Sequence, residues 1–81
     1  MLQLKFFASL RDQLNTSEET IDGTYACVGE LKQALCERGE TWQALLNGSN
    51  VLVAVNQDMA FDSTVIKEGD EIAFFPPVTG G

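Results

Sequence analysis

Leu2, Leu4 and Phe6 alternate with Gln3, Lys5 and Phe7, so residues 1–7 predict a strand with one apolar face. Ala8 to Leu14 predicts a short helical turn carrying Arg11. Thr16 to Asp22 is polar but contains Thr20 and Ile21, which predicts a second strand at a sheet edge, paired with the first as a loose hairpin. From Val28 the period changes. Val28, Leu31 and Leu35 recur at helical spacing, while Glu30, Lys32, Gln33, Glu37 and Arg38 lie mostly off that stripe. The helix is expected over 28–38, with Gly39 as its stop. Thr41 is expected to cap a further short turn that points Trp42, Leu45 and Leu46 inward. Asn47-Gly48-Ser49-Asn50 is a turn cluster. Val51 to Val55 reads as a dense, central strand, Asn56-Gln57-Asp58 as a turn, and Met59-Ala60-Phe61 as a brief pairing segment. Glu68-Gly69-Asp70 turns the chain into a last strand, Asp70 to Phe75.

The resulting order is two strands, a helix, a strand, a short strand and a final strand. The first and last strands are apolar enough to lie centrally, and one main helix has to cover one face. The expected class is α+β. Its architecture is a β-grasp (ubiquitin-like) fold, a mixed sheet of four to five strands with one main helix on one face. The expected organisation is a single domain over 1–75 and an extended tail over 76–81.

Composition narrows the chemistry. The chain has 81 residues, 44% of them hydrophobic, enough for one small core. Twelve acidic and five basic residues leave a net charge of −7. Nucleic acid is not expected as a partner, because its phosphates select lysine and arginine. The acidity suits either steering toward a basic protein surface or simple solubility. No run approaches the ~20 apolar residues of a membrane span, and no secretory leader opens the sequence, so a cytoplasmic protein without a membrane partner is expected. Cys27 and Cys36 match neither a CxxC redox pair nor a zinc pattern, and two thiols are too few for a plant-type iron–sulfur cluster. They read as free, buried or half-buried thiols. There is no histidine. That removes the commonest general base and every Ser-His or Cys-His nucleophile. No metal and no bound cofactor is expected, and catalysis by this chain alone is not.

What remains is the end of the sequence, Phe74-Phe75-Pro76-Pro77-Val78-Thr79-Gly80-Gly81. Glycine has no Cβ and threads spaces closed to other residues. Pro76-Pro77 stiffens the base of the arm. Extended, residues 78–81 reach about 13 Å at ~3.3 Å each, enough to carry a terminal carboxylate into another protein's active site. A frayed terminus is the plain alternative. Alternation adds a second feature. Phe7 and Phe75 fall on the face otherwise given to polar side chains, beside the root of the arm. Met59 is suited to join them on an adaptable docking surface. The alternative is that a bend buries both rings. Trp42 reads as a core plug rather than a ligand platform.

Leu4-Lys5-Phe6-Phe7-Ala8 followed by Arg11, Val55-Asn56-Gln57, Glu68-Gly69-Asp70-Glu71-Ile72 and the terminal octapeptide together resemble the small subunits of molybdopterin synthase. The resemblance spans the chain in order. It is most specific at the tail, and residues 16–50 match only in pattern. It implies a ubiquitin-like sulfur carrier. Gly81 would be adenylated by an ATP-dependent activating enzyme, converted to a thiocarboxylate with sulfur from a sulfurtransferase, and inserted into the large synthase subunit. There it would give sulfur to a pyranopterin precursor, forming the molybdopterin dithiolene. Gly80, Thr79, Val78, Pro77 and Pro76 would thread the tail. Phe7, Met59 and Phe75 would meet the partner. Two small and two large subunits would form a heterotetramer, with the catalytic residues on the large one. Three rivals remain: a carrier for thiazole synthesis or tRNA thiolation, a ubiquitin-like modifier joined to lysines, and an interaction domain with an inert tail.

Overall fold

The computed structural model describes residues 1–46 and 51–76. The turn cluster expected over 47–50 lies outside the described residues. Five strands and three helices follow one another. They are β1 (Leu2–Phe6), α1 (Ala8–Leu14), β2 (Glu18–Ile21), α2 (Val28–Cys36), α3 (Glu40–Leu46), β3 (Leu52–Val55), β4 (Asp58–Ala60) and β5 (Glu71–Phe75). The strands form one mixed sheet in the order β2-β1-β5-β3-β4. β1 and β5 run parallel at its centre, and every other pairing is antiparallel. This is the α+β arrangement that the sequence pattern predicts.

The inner face of the sheet carries Leu2, Leu4, Phe6, Val53, Ile72 and Phe74, all buried. Val28, Leu31 and Leu35 of α2, Leu10 and Leu14 of α1, and Leu46 of α3 close over them. Each such side chain contributes about 1.5–3 kcal/mol on leaving water. Phe6 is the hinge of this packing. It stacks on Phe74 at 5.5 Å and meets the edge of Trp42 at 5.6 Å. Trp42 therefore belongs to the core margin, with its outer surface covered by the Arg38 guanidinium at 4.7 Å. Arg38 in turn donates two hydrogen bonds to the Glu19 carboxylate, at 2.7 and 2.5 Å, tying the end of α2 to edge strand β2.

The β1–β2 pair is antiparallel and α1 occupies the connection over Ala8–Leu14, both as expected, with Leu10 and Leu14 burying one side of the helix. The helix ends in Asn15 at φ 54°, a left-handed position that asparagine tolerates. Several local expectations change. β2 is shorter than residues 16–22. α2 ends at Cys36, where the N–H groups of Glu37 and Arg38 turn back to Ala34 and Leu35 in tighter i−3 bonds. Thr41 is not a cap. α3 starts one residue earlier, and the Gly39 carbonyl accepts the Gln43 N–H. Lys32, placed off the apolar stripe, is buried. It lies one turn from Val28, runs its stem along the core and bonds the exposed Asp62 carboxylate at 3.0 Å. Finally β4 is Asp58–Ala60, so Phe61 follows the strand instead of ending it.

Candidate functional site

The two central strands decide where the chain leaves the sheet. β1 and β5 are parallel with Phe6 opposite Phe74, and the Phe7 N–H continues the ladder to the Phe74 carbonyl at 3.1 Å. Phe7 and Phe75 thus end adjacent strands on the outer face, where Pro76 follows. The Phe7 backbone is held on both sides, since its carbonyl also accepts the Leu10 and Arg11 N–H groups. Ala8 then turns the chain out of β1 at φ 53°, a left-handed conformation costing about 1–2 kcal/mol for a residue with a Cβ. The Phe7 ring is 45% exposed on this fixed backbone. Phe75 and Pro76 are half-buried. No bend hides the two rings in the core.

Met59 lies on the same face, farther across the sheet. The register runs Lys5–Ala73–Ala54–Met59 across four strands. Met59 is therefore two strands from Phe75, with the small side chains of Ala54 and Ala73 between, and is 61% exposed. Pro77, Val78, Thr79, Gly80 and Gly81 lie outside the described residues. The structure also reveals Leu52, directly opposite Phe75. The run Val51 to Val55 conceals it. Its dense, central character does not by itself separate the two faces that a strand between two neighbours has.

Polar braces hold the opposite end of β5. The Asn56 side chain donates to Asp70 Oδ1 at 3.0 Å and accepts the Glu71 N–H at 3.0 Å. Asp70 Oδ2 accepts the Lys67 N–H at 2.8 Å. These bonds, the Asn56 amide first, hold the Asp70 carboxyl below the usual carboxylate range. Asn56 and Gln57 both have positive φ, as a two-residue hairpin turn requires. Two of the sequence segments singled out above, 55–57 and 68–72, are thus one structural unit. Elsewhere, Arg38 holds the Glu19 carboxyl low through their hydrogen bonds. Cys27 and Cys36 are free and half-buried. Among the described residues, no group of three or more His, Cys, Asp and Glu is placed to hold a metal ion, and no helix is long and apolar enough to cross a membrane.

The geometry is therefore a strand end with aromatic side chains beside it. Known proteins resemble this chain in sequence and fold. The model of the ThiS family matches residues 4–81. The molybdopterin synthase sulfur carrier subunits of Haemophilus influenzae and Escherichia coli are 37% and 35% identical, over 100% of both chains in each case. Among solved structures, SAMP1 from Haloferax volcanii superposes with a TM-score of 0.83 at 28% identity, covering 99% of this chain and 98% of that one. One chain of the complex of subunits 1 and 2 of the molybdopterin-converting factor of Helicobacter pylori gives a TM-score of 0.68 at 25% identity, covering 99% of this chain and 97% of that one. The chain belongs to the ThiS family, in the group of molybdopterin synthase sulfur carrier subunits.

Proposed function

We propose that this chain carries sulfur on the carboxyl group of Gly81 and delivers it within a molybdopterin synthase. The observation that supports this reading is the full-length match to sulfur carrier subunits, joined to a parallel β1–β5 pair that leads the chain out beside Phe7. The chemistry is consistent. A terminal carboxylate, with an ordinary pKa of about 3.5, is ionised at neutral pH and a poor electrophile. It needs a better leaving group before sulfur can replace oxygen. Adenylation supplies one: the carboxylate oxygen attacks the α-phosphorus of ATP and pyrophosphate leaves. Hydrosulfide then attacks the acyl carbon, the carbon–oxygen bond to AMP breaks, and a thiocarboxylate and AMP result with loss of the sulfur-bound proton.

In this reading the chain is the presented group and its partners hold the machinery. An ATP-dependent enzyme adenylates Gly81, a sulfurtransferase supplies sulfur, and the large subunit receives the tail and directs the sulfur onto a pyranopterin precursor. Gly80, Thr79, Val78, Pro77 and Pro76 form the inserted segment. Phe7, Met59 and Phe75 face the large subunit, in a heterotetramer of two small and two large chains located in the cytoplasm. The test is intact mass after incubation with ATP, an activating enzyme and a sulfur source. The expected gain is the mass difference between sulfur and oxygen, mapped to Gly81. A chain that stays unmodified while the activating enzyme modifies a known carrier rules the reading out.

The likeness to SAMP1, a small archaeal modifier protein, favours one alternative, conjugation of Gly81 to lysines of other proteins. The same incubation with cell extract separates the two. Conjugation gives lysine-linked adducts of higher mass, whereas sulfur transfer gives the free thiocarboxylate.

A further inference from the structure

Phe61 is 76% exposed, more than Phe7 or Met59, and nothing above assigns it a role. We propose that it is a further anchor for the large subunit, so that the docking face spans the sheet from β1 to the β4 edge. This rests on the reading of the chain as a synthase subunit. Register supports it. Ala60 pairs with Val53 on the inner side; continued by one residue, that alternation puts Phe61 on the outer side opposite Leu52, and both side chains line one hollow. Leu52 faces Phe75, and Phe75 neighbours Phe7. The four side chains make one apolar row across β1, β5, β3 and the end of β4. The row lies at the end of the sheet where β5 hands the chain to Pro76. Leu52, Met59 and Phe61 also line one side of an open hollow of about 600 Å³.

Phe61 is held in place as an anchor has to be. Its N–H donates to Thr64 Oγ1 at 2.8 Å, and its carbonyl accepts the Thr64 N–H at 2.9 Å. The next residue is fastened to α2, with the Asp62 carbonyl accepting the Gly29 N–H at 2.8 Å and its carboxylate bonding Lys32. A hydrogen-bonded backbone therefore presents a ring that is mostly exposed, and little ordering entropy is lost when a partner covers it. A partner that takes the tail from Pro76 and covers Phe75 meets Phe61 on the same row.

The test is calorimetric titration of the large subunit with the unsubstituted chain, Phe61→Ala and Phe61→Leu, with thermal unfolding and the mass of the free chain measured alongside. The expected result is a Kd raised about tenfold or more in Phe61→Ala, partly restored in Phe61→Leu, at unchanged Tm. A Kd for Phe61→Ala within about twofold of the unsubstituted chain's overturns the anchor and leaves the proposed function standing. A change confined to the self-association of the free chain also overturns it, because the ring would then serve a second copy. Failure of the unsubstituted chain to bind overturns both readings.

Discussion

Asp70 is one residue whose ionisation links sequence to stability. Its carboxyl is held low by the Asn56 amide and the Lys67 N–H, so its folded pKa lies below its unfolded value. Its contribution is therefore fully present above the unfolded pKa, about 3.9, and is lost as pH falls through the lower folded value. We expect the urea midpoint to fall on acidification from about pH 6 to pH 3, and Asp70→Asn to be less stable at pH 6 with a shallower fall. The effect is small, because the group is exposed. An identical pH profile in the variant removes Asp70 as a contributor. The Asp70 turn itself is legible in sequence, from Glu68-Gly69-Asp70. Its bond to Asn56, fourteen residues away, is not, because no local pattern encodes a contact between two separate turns.

At the scale of elements, alternation was the reliable guide. It placed Phe7 and Phe75 on one outward face, and the parallel β1–β5 pair makes them neighbours. Phe75→Ala is expected to weaken binding of the large subunit by about 1–3 kcal/mol, the range of aromatic anchors, with little change in unfolding because the ring lies outside the core. Equal affinity in titration would show that the face does not bear on the partner. Helical periodicity was coarser. It identified Val28, Leu31 and Leu35 but set Lys32 aside as polar, although a position four residues from Val28 shares its face. The long aliphatic stem obeys geometry while the ammonium reaches Asp62. β4 and Phe61 were blurred for a different reason. Three residues are too few to reveal a period, and only pairing with β3 settles which face each side chain takes.

For the molecule as a whole, stability and function fall on different residues. Among the described residues the buried core runs from Leu2 to Phe74. Deleting Gly81 is expected to leave cooperative unfolding and Tm unchanged while abolishing sulfur transfer, since the new terminus falls about 3.5 Å short of the reacting position. Loss of cooperative unfolding, or retained transfer, would contradict that division of roles. The sequence alone determined the strand and helix periods, the acidic and histidine-free composition, and the slender Gly-Gly ending, because each depends on residue type and near spacing. Only tertiary structure decided that Asn56 braces Asp70, that Lys32 is buried, and that Leu52 lies opposite Phe75. Those facts depend on which strands lie side by side and in what register. Register is settled by packing one common inner face beneath the helices, and no single segment carries that information.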